Sequence, residues 1–138
     1  MTENEKYALV KKALPAREAS YSPYSGFAVG AALLTTDGEI YTGANIESAS
    51  YTPTVCAERV AFFSAVHSGK RSFRAIAIVG GKRGGEVNDY TSPCGVCRQV
   101  MAEFCEPDFE IILYNGQTVK TYTLSELFPA SFGKDDLK

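Results

Sequence analysis

At residues 92–99 the chain reads Ser92-Pro93-Cys94-Gly95-Val96-Cys97-Arg98-Gln99, a proline followed by two cysteines three positions apart. Proline is common near the start of a helix, because the N–H that it lacks would have no intrahelical partner there. The stretch therefore predicts a helix that begins near Cys94 and carries both thiols in its first turn. Free N–H groups and the positive end of the helix dipole stabilise thiolates, the form of cysteine that binds metals.

The segment Cys56-Ala57-Glu58-Arg59 supplies a third cysteine and a carboxylate. A Cys-x-x-Cys pair alone also occurs in redox proteins and in structural zinc sites. Three cysteine ligands would leave the fourth position of a tetrahedral zinc ion open, as catalytic sites require. Glu58 follows the first ligand by two residues, so it could lie beside that open position and move protons. We predict a zinc site made of Cys56, Cys94 and Cys97, with Glu58 as the catalytic residue.

The net negative charge of such a zinc site indicates that an arginine should lie beside the sulfurs. Three thiolates and Zn²⁺ sum to −1, and a guanidinium hydrogen-bonded to the sulfurs would offset that charge, as groups around metal ligands do. Arg59 and Arg98 are both placed for this role, and we favour Arg59. Cys105 has no partner at ligand spacing, so we expect it to pack in the core.

Composition and charge narrow the class of protein. The chain has 138 residues, of which 45% are hydrophobic, so we expect one domain over residues 1–138 with its own core.

The net charge of −2 gives no basic footprint for nucleic acid, and no run approaches the roughly 20 apolar residues of a membrane span. Residues 1–12 are polar and charged, unlike a signal peptide, and the four cysteines are better explained as thiols or ligands than as disulfides. We expect a cytoplasmic protein.

Hydrophobic periodicity and turn residues predict nine elements in the order α-β-β-α-β-α-β-β-α. Capping-box patterns, Thr2 with Glu5 and Thr123 with Glu126, mark the first and last helices. The second helix should bury Val60, Phe63 and Val66. The predicted ranges are 3–20 (interrupted at Pro15), 27–35, 39–42, 55–68, 73–79, 94–106, 109–114, 117–122 and a short helix from 124.

This order predicts a central sheet with helices on both faces, because strand-helix-strand connections are right-handed crossovers. Cys56 and Cys94 then lie at the N-termini of two helices that follow strands. Such N-termini can meet at one edge of the sheet, which is where open α/β sheets place their sites.

These motifs resemble those of zinc-dependent deaminases, which carry His-x-Glu followed by Pro-Cys-x-x-Cys. Here Cys56 replaces the histidine. More closely, the chain resembles the small cytidine deaminases almost from end to end. The matching segments are Pro23-Tyr24-Ser25, Phe27-x-Val29-Gly30-Ala31-Ala32-Leu33-Leu34, Asn45-Ile46-Glu47, Cys56-Ala57-Glu58-Arg59, Ser92-Pro93-Cys94-Gly95-x-Cys97-Arg98-Gln99 and Ser131-Phe132-Gly133.

The resemblance implies a fold and a reaction. The fold would be α/β, a three-layer α/β/α sandwich with a central mixed five-stranded sheet. The reaction would be zinc-dependent hydrolysis of cytidine or deoxycytidine to uridine or deoxyuridine and ammonia, a step of pyrimidine salvage. The partner would be a small nucleoside, with no nucleic acid and no membrane.

The resemblance also implies a role for individual residues. Cys56, Cys94 and Cys97 would hold one zinc per subunit, and Glu58 would be the proton shuttle. The implied substrate contacts are stacking by Phe27, hydrogen bonds from Asn45 and Glu47 to ribose hydroxyls, the Ala57 N–H on the ring carbonyl and the Ser92 carbonyl on the departing amine. Tyr51 and Phe132 would complete the pocket of a neighbouring subunit in a homotetramer.

Four alternatives remain open at this point. The stretch Thr54-Val55-Cys56-Ala57-Glu58 also resembles blasticidin-S deaminases, although Asn45 and the Pro-Tyr-Ser segment favour cytidine deaminase. A structural zinc module would need Cys105 as its fourth ligand. A dithiol oxidoreductase would use Cys94 and Cys97 and give no role to Cys56 or Glu58. A polynucleotide deaminase is disfavoured by the lack of a basic stripe.

Overall fold

The computed structural model describes residues 1–138, and its centre is a single five-stranded sheet. The strands are β1 (Phe27–Thr35), β2 (Ile40–Ala44), β3 (Phe73–Lys82), β4 (Glu110–Tyr114) and β5 (Val119–Thr123). Their order in the sheet is β2-β1-β3-β4-β5. The β3–β4 pair is parallel and the other three pairs are antiparallel, so the sheet is mixed, as expected.

Helices cover both faces of this sheet. They are α1 (Glu3–Ala16), α2 (Ala57–His67), α3 (Gly95–Phe104) and α4 (Leu124–Leu127), with 3₁₀ turns at Arg17–Ala19 and Lys134–Leu137. On one face, α1 buries Leu9 and Val10 against the strands, and on the other, α2 and α3 bury Phe62 and Met101. The three-layer α/β/α prediction and the element order are confirmed. No helix combines the length and the apolar character that crossing a membrane requires.

The helix starts follow the predicted capping chemistry, and the first helix is shorter than predicted. Thr2 and Thr123 both cap their helices in reciprocal capping boxes with Glu5 and Glu126. The first α-helix ends at Ala16, directly after Pro15, and a 3₁₀ turn replaces the last predicted residues. The predicted interruption at Pro15 is therefore wrong, since the α-helix includes this proline in its last turn.

The predicted buried face of the second helix is wrong. Phe63 is 49% exposed, whereas Phe62 is fully buried together with the three alanines of the helix, Ala57, Ala61 and Ala65. The reason lies in β2, against which the helix packs very closely. A Cβ at Gly43 would stand 2.6 Å from the Ala61 nitrogen and closer still to the Ala57 carbonyl oxygen. Only small side chains fit a face that approaches the sheet so closely.

The third strand is longer than predicted and reaches Lys82. Its last residues, Gly80 and Gly81, pair with β1 as far as the Phe27–Lys82 position. A Cβ at Gly80 would stand 3.0 Å from the Phe27 ring and 2.5 Å from the Thr91 hydroxyl. The glycine therefore lets the Phe27 ring lie close to β3.

The antiparallel register of β1 defines the edge of the sheet that matters for the site. The start of β1 pairs with the end of β3, and Gly30 of β1 pairs with Ala44 at the end of β2. The strands β2 and β3 therefore end at the edge of the sheet at which β1 begins. Because α2 and α3 follow the loops that leave this edge, their N-termini meet there, as the sequence predicted.

Gly43→Ala should destabilise the protein, because the added methyl group must displace the backbone of α2. We expect the free energy of unfolding to fall by about 1–3 kcal/mol, the usual cost of overpacking. Urea titration followed by circular dichroism measures this change. Gly133→Ala is a matched control, since a Cβ at Gly133 meets nothing within 4 Å. Equal stability of the two variants would contradict the close packing of α2 on β2.

Candidate active site

Three thiols converge at this edge of the sheet. Cys56 is the N-cap of α2, Cys94 is the N-cap of α3, and Cys97 lies in the first turn of α3. The Sγ of Cys94 lies 3.6 Å from that of Cys56 and 3.5 Å from that of Cys97. All three sulfurs lie within 4.8 Å of one another. Sequence placed these cysteines near helix starts, and the structure places two of them at the capping positions.

The sulfur geometry fits a zinc ion. Zn–S bonds of about 2.3 Å at tetrahedral angles put two sulfurs about 3.8 Å apart, close to the separations in this cluster. Neither Cys56 nor Cys94 uses its side chain to cap its helix, so both sulfurs stay available for a metal. Three such donors leave one tetrahedral position for a water molecule or a substrate atom.

Hydrogen bonds and charge favour a thiolate in this cluster. The hydrogen bond donated by the Cys97 thiol lowers the pKa of Cys56 to about 5, and Arg59 contributes to the same effect. That hydrogen bond and burial raise the pKa of Cys97. The helix N-termini behind the sulfurs act in the same direction as the arginine.

Glu58 lies beside the thiols in the first turn of α2, and only 4% of its surface is exposed. Burial raises the pKa of this carboxyl group to about 7, and the negative charge of Cys56 adds to the rise. A group that gains and loses protons near neutral pH suits general acid–base catalysis. The sequence predicts a carboxylate beside a metal site, and the structure places Glu58 beside the thiols.

The choice between the two arginines follows from their contacts. Arg59 donates from Nη2 to the Cys56 sulfur at 3.6 Å, and its buried Nε has no hydrogen-bond partner. Arg98 instead donates to the Pro93 carbonyl at 2.8 Å, to the Ser92 hydroxyl at 2.9 Å and to the Leu127 carbonyl. Arg59 therefore faces the sulfurs, and Arg98 holds the backbone that leads into Cys94.

Asn45 and Glu47 are held by the loop before β1. Asn45 Oδ1 accepts from the Val29 N–H at 2.9 Å and from the Ser20 hydroxyl at 2.6 Å, and Nδ2 donates to the Phe27 carbonyl at 2.8 Å. Glu47 accepts from two backbone N–H groups, at 3.0 and 3.1 Å, and from the Ser25 hydroxyl. The Ser25 hydrogen bonds lower the pKa of Glu47, so this carboxylate stays ionised.

Phe27, Ala57 and Ser92, the other residues that the sequence predicted for the site, lie at or next to the same edge of the sheet. Phe27 opens β1 with 42% of its surface exposed, and Ala57 is fully buried as the first residue of α2. In this first turn the backbone N–H of Ala57 has no intrahelical acceptor. Ser92 stands two residues before Cys94, held through its hydroxyl by Arg98. Ala57 and Ser92 thus stand next to the cysteines in sequence, and Phe27 stands at the start of the strand on the same edge of the sheet.

Tyr51 and Phe132 are not packed against the thiols within one chain. They are 74% and 59% exposed, and Tyr51 has a φ of +64°, a strained value for a non-glycine residue. Tyr51 lines a cavity of about 280 Å³ together with Glu47. The carbonyl of Phe132 accepts from the Gln99 side chain at 2.8 Å, which ties the C-terminal segment to α3.

Sequence reasoning gave Ser20 and Ser25 no supporting role in the site and considered Arg98 only as a partner of the sulfurs. Ser20 and Ser25 bond the two polar residues after β2, and Arg98 fixes the approach to Cys94. The bonds of Ser20 to Asn45 and of Ser25 to Glu47 join positions far apart in the chain, whereas Arg98 bonds near neighbours. Serines in a turn-rich loop carry no pattern that could reveal such contacts.

The sequence also matches a known protein family. The sequence model of the "cytidine and deoxycytidylate deaminase zinc-binding region" matches residues 3–112. The chain belongs to this deaminase family. The cofactor of the family is zinc, which agrees with a three-sulfur cluster able to hold a metal.

Individual relatives of this deaminase agree with the family match. A cytidine deaminase of Sporosarcina psychrophila is 48% identical over 130 residues, covering 94% of this chain and 92% of the relative. The crystal structure of cytidine deaminase from Burkholderia pseudomallei superimposes with a TM-score of 0.84 at 46% identity, covering 96% of this chain and 100% of that one. The mixed α/β fold of this deaminase is therefore that of a solved cytidine deaminase.

The alternatives lose support at this point. A blasticidin-S deaminase of Bacillus cereus is 38% identical over 110 residues, covering 78% of each chain, so it is a more distant relative. Cys105 caps the far end of α3 and does not belong to the three-sulfur cluster. It packs against the core, as the sequence predicted. A structural zinc site closed by Cys105 does not fit this arrangement.

Proposed function

We propose that this chain is a zinc-dependent cytidine deaminase, which hydrolyses cytidine and deoxycytidine to uridine and deoxyuridine with release of ammonia. Residues 1–138 would act as one catalytic domain. The observation that carries the proposal is the meeting of three sulfurs with a buried carboxyl group, Glu58, at one edge of the sheet. Family membership supplies the substrate class.

The metal would be held by Cys56, Cys94 and Cys97, one zinc ion per subunit. When bound, zinc supplies an activated water molecule by lowering the pKa of that water from about 15.7 towards 7. Arg59 offsets the negative charge of the thiolates through its bond to the Cys56 sulfur. This offset preserves the electron-withdrawing strength of the metal.

Glu58 would carry the protons of the reaction. Its carboxylate accepts a proton from the attacking water and delivers it to N3 of the cytosine ring, which makes C4 more electrophilic. After oxygen has added to C4, the carboxylate takes the remaining proton from that new hydroxyl group and passes it to the exocyclic amine. The C4–N bond then breaks, a carbonyl group forms at C4, and ammonia leaves. One group then serves as base and as acid, which suits its buried position and raised pKa.

Substrate orientation would come from residues at the edge of β1 and at the two helix starts. Phe27 stacks on the pyrimidine, while the Ala57 N–H binds the ring carbonyl and the Ser92 carbonyl accepts from the amine. Asn45 and Glu47 hydrogen-bond sugar hydroxyls. The exposed ring of Phe27 and the rigidly held side chains of Asn45 and Glu47 support these roles.

A homotetramer would complete each pocket with Tyr51 and Phe132 of neighbouring subunits. Large apolar side chains that are exposed on a single chain would be covered in such an assembly. They include Tyr51, Phe132, Phe63, Val96 and Ile46, with 74%, 59%, 49%, 58% and 45% of their surfaces exposed. We place the enzyme in the cytoplasm, in pyrimidine salvage, where free thiols persist.

Glu58→Gln should keep zinc and lose nearly all turnover, because the amide cannot move protons. We expect kcat to fall by at least about 10²- to 10⁴-fold, the usual range for general acid–base groups. The fall in ultraviolet absorbance when cytidine is added measures turnover. Glu103→Gln, on the exposed side of α3, is the matched control and should retain full activity. Turnover retained by Glu58→Gln would remove Glu58 from the mechanism.

A mixing experiment tests the shared pocket. Phe132→Ala and Glu58→Gln should each be impaired, and co-refolded mixtures should be more active than the sum of the two. Mixed tetramers would contain pockets that combine an intact Glu58 with an intact Phe132 from a neighbour. Glu58→Gln mixed with Cys94→Ala should show no such gain, since both residues act within one chain. An additive result for the first mixture would place Phe132 outside the neighbouring pocket.

A further inference from the structure

The orientation of the Asn45 amide is fixed by its surroundings. Its Oδ1 faces the backbone N–H of Val29, which can only donate, and its Nδ2 faces the Phe27 carbonyl, which can only accept. The oxygen accepts a second bond from Ser20, so both of its lone pairs are used. One N–H of the amide remains free. Asn45 can therefore only donate to a ligand.

A chain of two serine hydroxyls stands behind this amide. Ser20 has a single hydroxyl proton, and it must give it to Asn45 Oδ1, which has none to offer. The Ser22 hydroxyl lies 3.1 Å from the Ser20 oxygen, where Ser20 is again placed as the donor, so the shorter contact with Asn45, at 2.6 Å, takes the single proton. Ser22 is fully buried, with 0% of its surface exposed. These contacts form a relay, in which the buried Ser22 hydroxyl lies against Ser20 and Ser20 donates to Asn45.

The backbone joins the two segments that carry the relay. The Tyr21 N–H donates to the Asn45 carbonyl at 2.9 Å, and the Glu47 N–H donates to the Tyr21 carbonyl at 2.9 Å. Tyr21, which lies between the two serines, is thus bonded to residues 45 and 47 through both its N–H and its carbonyl group. The hydroxyl of Ser20 is held in place and does not contact Asn45 by chance.

The neighbouring Glu47 has the opposite character. Its carboxylate accepts from the backbone N–H groups of Tyr24 and Ser25 and from the Ser25 hydroxyl, so it is ionised and has only acceptor capacity to offer. Asn45 offers one donor and Glu47 offers acceptors. The pair is matched to a hydroxyl group, which accepts and donates at once.

We propose that Ser20, oriented by the buried Ser22, is a positioning residue that makes Asn45 a pure hydrogen-bond donor for one sugar hydroxyl of the nucleoside. This inference rests on the proposed function, in which Asn45 binds the sugar. Ser20 would touch no substrate atom. It would act through the Asn45 amide, affecting binding of the sugar and leaving the proton transfers of Glu58 unchanged.

The test compares Ser20→Ala with the native enzyme on cytidine and on its 2′-deoxy and 3′-deoxy analogues. We expect Ser20→Ala to raise KM for cytidine by about 3- to 10-fold, the size of one net hydrogen bond, with kcat unchanged. The penalty should disappear on the analogue that lacks the hydroxyl read by Asn45. An equal loss on all three substrates, or a loss of kcat alone, would overturn the proposal, because a general structural role has no such selectivity.

Matched variants keep the test decisive if Ser20→Ala is poorly folded. Ser20→Thr and Ser20→Val have the same shape and differ only in the hydroxyl, so the threonine variant should restore the native KM and the valine variant should not. Equal KM values for the two would overturn the relay. Ser64→Ala, at an exposed position on α2, should behave as the native enzyme.

Asn45→Ala separates this proposal from the proposed function. A raised KM in Asn45→Ala with a native KM in Ser20→Ala would overturn the relay and leave the sugar site in place. An unchanged KM in Asn45→Ala would overturn the role of Asn45, and the relay with it, while turnover of cytidine would still support the deaminase.

Discussion

The convergence of two helix N-termini on one edge of the sheet is the constraint on which the rest of this protein depends. Because β1 runs antiparallel between β2 and β3, it begins where they end. Each helix that leaves this edge begins with a cysteine at its capping position. The capping position leaves the sulfur outside the helix, facing the other sulfurs, with the positive end of a helix dipole behind it.

The close contact of α2 with the sheet determines where the carboxyl group lies. The missing side chain of Gly43 lets the alanine face of α2 approach β2, so the first turn of the helix is pressed into the protein. Glu58 is buried beside the thiols as a result, and its raised pKa follows from that burial. The packing of Gly43 against α2 thus contributes to the raised pKa of Glu58.

The parts of this arrangement that are local in sequence could be predicted from it. The spacing of Cys94 and Cys97, the carboxylate two residues after Cys56 and both capping boxes follow from neighbouring residues. The face of α2 could not be predicted in this way, because Phe62 and Phe63 are equally apolar and the close approach of α2 to the distant Gly43 leaves no local signal. The bond between Ser20 and Asn45 spans 25 residues and leaves no periodic pattern in the sequence.

The most direct test of the central claim is to measure zinc content and cytidine turnover on the same purified protein, native and Cys105→Ala. We expect one zinc ion per chain in both, with uridine and ammonia formed in equal amounts and blasticidin S a poorer substrate. A folded protein without zinc, zinc without turnover of cytidine, or loss of zinc in Cys105→Ala would contradict it.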